Sequence, residues 1–158
     1  MTEQQVELGK KVPDFTLPAS GGGFLSLHEL RGRKVVIYFY PRDLTPGCTE
    51  EACDFRDRTQ DFAAAGTAVL GISGDEVKSH DKFTEKHKLS FPLLSDADHE
   101  VSRMFGVWQL KKLYGKEFEG IVRSTFLIDE EGVLIKEWRK VRVKGHSEEV
   151  LQTVQALQ

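Results

Sequence analysis

The chain of 158 residues has 39% hydrophobic and 30% charged residues and a formal net charge of −3. That length fits one domain over residues 1–158 with a core that needs no disulfide staples, and the composition excludes a disordered chain. The charge balance excludes the basic footprint of a nucleic-acid binder, and the longest apolar run, Val35 to Tyr40, is too short to cross a bilayer. The opening stretch MTEQQVELGK lacks the apolar run of a secretory leader, so a cytoplasmic location is expected, where structural disulfides do not persist.

The N-terminal part reads as a small hairpin, with Phe15-Thr16-Leu17 and Phe24 to Leu27 separated by Pro18 to Gly23. Lys34 to Tyr40 is nearly continuous in β-branched and aromatic residues, which predicts a central strand buried on both faces and ended by Pro41. A helix is expected from about Cys48 to Ala65. Its inner face carries Ala52, Phe55, Phe62 and Ala63, and Gly66 stops it. Thr67 to Ile72 reads as a second buried strand, and Asp75 as the cap of a helix reaching about Lys88.

Phe91 to Leu94 is a short extended piece, followed by a short helix near Asp98 to Phe105. Ser124 to Asp129 and Val133 to Trp138 form a hairpin around Glu130-Glu131-Gly132. The basic cluster Arg139, Lys140, Arg142 and Lys144 reads as the solvated exit of that hairpin. Ser147 starts a last helix that turns Val150, Leu151 and Val154 inward. Hairpin, βαβα, then ββα is the order of an α/β, thioredoxin-like fold. It has a mixed central sheet flanked by helices, an N-terminal β-hairpin extension, and an insertion between about 90 and 122.

Two cysteines, Cys48 and Cys53, sit five residues apart. Cys48 stands at a helix start, where free backbone N–H groups and the helix dipole favour a thiolate. Thr45, three residues earlier, offers a hydroxyl that can donate or accept, and Pro41 fixes the loop. On a regular helix the two cysteines point about 140° apart, with Cα atoms roughly 8–9 Å from each other. A disulfide needs Cα atoms within about 7 Å. A bond between them would require the first turns to unwind. The spacing is not C-x-x-C, and His28, His80, His87, His99 and His146 offer no zinc-ligand pattern. The plain alternative is that both thiols are small core hydrophobes.

The stretch YFYPRDLTPGCTEEACDFRD resembles the active-site segment of the peroxiredoxins, and most closely the peroxiredoxin Q or bacterioferritin comigratory protein subgroup. Pro41, Thr45 and Cys48 meet the family pattern, and Cys53 matches the subgroup's resolving cysteine. GISGD, FPLLSD, FGVW and RSTFLID extend the resemblance along nearly the whole chain. Gln109-Leu110 departs from it, in a loop that bears on partner or substrate choice.

The resemblance implies a catalytic arginine at Arg123. It also implies that Cys48 becomes a sulfenic acid, forms an intramolecular disulfide with Cys53, and is recycled by thioredoxin or else glutaredoxin, without metal or other cofactor. It further implies a monomer. Glu51 either orients Arg123 or is a solvated acid of the first helical turn. Arg42 and Arg56 read as solvated charges. A redox sensor and an inactive thioredoxin-like binding module are the other readings. The first shares Cys48. The second is opposed by Pro41, Thr45, Cys48 and Arg123 occurring together.

Overall fold

In a computed structural model, residues 5–158 are described; the opening stretch read above for a leader begins outside them. Strands β1 (Thr16–Pro18) and β2 (Phe24–Ser26) form the expected N-terminal hairpin, paired Leu17 to Leu25. The central sheet holds β3 (Lys34–Phe39), β4 (Thr67–Ser73), β5 (Leu93–Ser95), β8 (Ser124–Ile128) and β9 (Leu134–Arg139), in the order β5-β4-β3-β8-β9. β3, β4 and β5 run parallel, while β8 runs antiparallel to β3 and to β9.

Every residue of β3 is buried, as its unbroken apolar run requires. Its side chains alternate between two cores. Val35, Ile37 and Phe39 join Phe105, Phe126 and Ile128 on one face. Val36, Tyr38 and Tyr40 join Phe55, Phe62, Leu127 and Val154 on the other. The helices α1 (Pro46–Asp57), α2 (Thr59–Ala64), α3 (Val77–His87), α4 (Glu100–Met104) and α5 (His146–Gln155) connect or flank the strands. None of the described helices is long and apolar enough to cross a membrane.

Several sequence expectations are corrected. The helix expected from Cys48 starts at Pro46, with Thr45 at the N-cap and proline in the first turn, where its missing N–H costs nothing. It also breaks at Arg58 (φ −109°, ψ 4°). There the Thr59 hydroxyl donates to the carbonyls of Phe55 and Arg56 and competes with the helical ladder. The break shifts the phase, so Ala65 is buried and Ala63 is exposed. Asp75 does not cap α3. Glu76 occupies that position, and the Asp75 carboxylate accepts the Asp43 N–H and the Ser73 hydroxyl instead. The last helix begins one residue early, after Gly145 in the left-handed region (φ 76°).

Arg139 is no solvated charge, since it lies over the Phe126 ring at 5.0 Å and pairs with Glu137. The insertion holds a hairpin the sequence did not reveal, β6 (Trp108–Leu113) with β7 (Lys116–Ile121). Tyr114 (φ 52°) and Gly115 (φ 77°) form its two-residue turn.

Gly71 in β4 lies against the site-bearing face. A Cβ there would stand 2.8 Å from Leu93 Cδ2 and 3.0 Å from the Tyr38 ring. Gly71→Ala is therefore expected to lower the unfolding free energy by about 1–3 kcal/mol, through overpacking. Urea midpoints of the two proteins check this; equal midpoints would refute it.

Candidate active site

The chain leaves β3 at Tyr40 and crosses a five-residue loop, Pro41 to Thr45, into α1. This puts the α1 N-terminus at the carboxyl end of the parallel strands, the usual place for a site in such a sheet. The loop is held from below. The Asp43 carboxylate accepts the hydroxyls of Tyr40 at 2.6 Å and Ser79 at 2.8 Å, and lies 2.7 Å from His80 Nδ1. The other ring nitrogen of His80 donates to the Leu94 carbonyl at 3.0 Å. His80 and Asp43 are both buried, so a proton must lie between them for the 2.7 Å contact to be attractive. Asp43, Asp75 and His80 are close enough together to hold a cation, but their polar atoms are already engaged with one another and with this loop.

Cys48 is 1% exposed, in the first turn of α1. Its Sγ accepts from Arg123 Nη2 at 3.3 Å. Arg123 Nη1 donates to Glu51 Oε1 at 2.7 Å, and Glu51 is itself 1% exposed. The register brings these groups together. Ser124 pairs with Phe39, so Arg123 emerges beside Tyr40 at the same end of the sheet as the loop. Gly47 lets the guanidinium come close, since a Cβ there would stand 3.4 Å from Nη2.

Burial pushes Glu51 up to about 7, against the pull of Arg123, which lowers it. Arg123 stays charged. Burial opposes its charge, but Glu51 and Cys48 raise its pKa above the ordinary value. Glu51 is not a solvated acid of the first helical turn: it is buried, and its carboxylate accepts from Arg123. The Oε2 atom of Glu51 and the Tyr38 hydroxyl are buried without a hydrogen-bond partner.

Thr45 donates its hydroxyl proton to the Arg42 carbonyl at 2.9 Å, so towards a ligand the oxygen can only accept. Pro41 is exposed at the loop entrance and lines a cleft of about 360 Å³ with Arg42, Lys111 and Phe118. Lys111 was missed by sequence reasoning, because it sits on the unrecognised β6–β7 hairpin. Its ammonium donates to the Ile121 carbonyl at 3.0 Å. Burial, then Arg123, lowers its pKa, while Cys48 raises it.

Cys53 lies half-buried farther along α1, with its Sγ 3.9 Å from His87 Nδ1. Both cysteines are free thiols on an unbroken helical stretch. Arg56, read above as solvated, donates to the His87 carbonyl at 2.7 Å.

Two buried groups give opposing pH dependences. Glu51 keeps its proton in the folded chain from its ordinary 4.5 up to about 7, so it lowers stability as pH rises through that window. His146 is pushed down from 6.5 to about 4 by burial, so it lowers stability as pH falls through 6.5 towards 4. Each slope is at most about 1.4 kcal/mol per pH unit. Glu51→Gln should therefore lose stability on acidification between about pH 6.5 and 4.5, where the parent stays nearly flat. Denaturant titrations across that range check it, and parallel profiles for the two proteins would refute it.

A model of the AhpC/TSA family matches residues 8–137. Peroxiredoxin Bcp of Bacillus subtilis is 53% identical over 149 residues, covering 94% of this chain and 95% of its own. Peroxiredoxin Bcp of Xanthomonas campestris is 46% identical over 156 residues, covering 99% and 98%. A solved structure of Xanthomonas campestris peroxiredoxin Q superposes with a TM-score of 0.89 at 44% identity, over 99% of this chain and 100% of that one. A trapped intermediate/ligand complex of the Xanthomonas campestris bacterioferritin comigratory protein, bearing on its alkyl peroxide reduction activity, gives 0.87 at 46% identity, over 90% and 91%. With a thioredoxin-type sheet beneath it and these relatives along its length, the chain belongs to the AhpC/TSA family, as a thiol peroxidase of the peroxiredoxin Q and bacterioferritin comigratory protein subgroup.

Proposed function

We propose that the chain reduces hydrogen peroxide and organic hydroperoxides through Cys48, closes a Cys48–Cys53 disulfide, and is recycled by thioredoxin or another dithiol protein. The observation that carries this reading is the Arg123 guanidinium, which reaches Cys48 Sγ with one nitrogen and Glu51 with another. A fixed cation there favours the thiolate and supplies an N–H to the oxygen being displaced. Relatives of the same subgroup, one of them solved in connection with alkyl peroxide reduction, support the substrate class.

In the first step the Cys48 thiolate attacks one peroxide oxygen. The O–O bond breaks, the sulfur becomes a sulfenic acid, and the other oxygen leaves as alkoxide or hydroxide and takes a proton. Arg123 and the free N–H groups of the first α1 turn hold the developing charge. Thr45, able only to accept, takes the peroxide O–H and so orients the bond for attack. Pro41 keeps the loop entrance open to substrate. In the second step α1 unwinds at its start, Cys53 attacks the Cys48 sulfur, and water leaves. A dithiol then opens the disulfide by exchange. Such a cycle needs only one copy of the chain, in keeping with a monomer in the cytoplasm.

One equivalent of peroxide should remove a pair of hydrogens from the protein, and mass spectrometry should place the link between Cys48 and Cys53. Cys53→Ser should stop at a sulfenic acid, and Cys48→Ser should consume no peroxide. A stable sulfenic acid in the parent protein would point to a single-cysteine cycle. Amide exchange should show residues 46–56 losing protection on oxidation; unchanged protection there would refute the unwinding step. Continuous turnover with thioredoxin and its reductase separates an enzyme from a sensor that reacts once and signals.

A further inference from the structure

Cys53 has a polar partner that the cycle above does not use. Its Sγ lies 3.9 Å from Nδ1 of His87, at the last turn of α3. His87 is held there by its ring and by its backbone. Its ring stands edge-on to Phe83, with centroids 5.6 Å apart at 89°. Its backbone carbonyl accepts Arg56 Nη1 of α1 at 2.7 Å, which ties the end of α3 to the helix that carries Cys53. His87 is half-buried, and Arg56 is the charged group that α1 places against its residue.

We infer that His87 is the general base of the resolving step, an inference that rests on the Cys48–Cys53 reading. The chemistry calls for one. Attack on a sulfenic acid needs a thiolate, and an ordinary thiol at neutral pH is only a few per cent ionised. With α1 intact, Nδ1 takes the proton of Cys53, giving thiolate and imidazolium. As the helix start opens, the thiolate forms the S–S bond and the S–O bond of the Cys48 sulfenic acid breaks. The departing hydroxide receives, through solvent, the proton carried by His87, so the products are disulfide, water and neutral imidazole. When a dithiol reductant later displaces Cys53, the released thiolate takes its proton from solvent.

The test separates the two chemical steps in the full-length protein by rapid mixing with one equivalent of peroxide, acid quench and mass spectrometry. His87→Ala should leave the rate of Cys48 oxidation unchanged and slow disulfide closure about tenfold or more at neutral pH. Added imidazole should restore the closure rate in His87→Ala and leave the parent unaffected. Equal closure rates in the two proteins would overturn the inference. So would slowed closure that imidazole does not restore, which marks His87 as a packing residue. If the parent itself forms no Cys48–Cys53 link, the underlying reading fails instead, and the parent's mass spectrum alone reveals that.

Discussion

The site depends on one shared cation. Arg123 spans a buried thiol and a buried carboxyl, with one nitrogen on Cys48 and another on Glu51. A guanidinium suits this role because its planar fork presents several fixed donors and keeps its charge when partly buried. Removing it would leave Glu51, at 1% exposure, with no counter-ion. The elevated Glu51 shows how finely the trio is balanced. Burial alone would hold the carboxyl neutral, and Arg123 draws it back to about 7. The charge on the Glu51 carboxyl can therefore change near neutral pH while the cation stays in place.

A second constraint keeps the loop from yielding to that charge. Asp43 is locked by Tyr40, Ser79 and His80, and its own N–H is taken by Asp75. These partners come from the residue that follows β3, from α3 and from the turn after β4, so the Pro41–Thr45 loop is tied to the rigid part of the fold. Leu44, at φ 64°, is an exposed non-glycine residue in the left-handed region, and the network beside it holds that strained turn.

Against this rigid base, the start of α1 is held less firmly. Its N-cap residue, Thr45, makes no side-chain capping bond, because its hydroxyl is committed to Arg42. Such a bond is worth about 1 kcal/mol to a helix. The helix is also short, ending at Asp57, where Arg58 leaves helical geometry. A first turn without its cap and a helix of twelve residues make local unwinding cheaper than it would be in a long, capped helix. Cys53 sits farther along, against His87 of α3.

The sequence by itself determined the strands and the local setting of Cys48. The unbroken apolar run of β3, the alternation of the last hairpin, and Pro41, Thr45 and Cys48 ahead of an amphipathic helix are local patterns, legible because backbone periodicity and helix-end chemistry act over a few residues. Arg123 was reached by resemblance alone, since only strand register brings position 123 beside position 48. Tertiary structure decided the rest. The charge-paired role of Glu51, the locking of Asp43 by His80, the approach of His87 to Cys53, and Lys111 on a polar hairpin all depend on contacts across the fold. Cys48 and Arg123 are 75 residues apart, and Cys53 and His87 are 34 apart. No local pattern encodes such pairs. They exist because the packing of the sheet and helices brings distant side chains together.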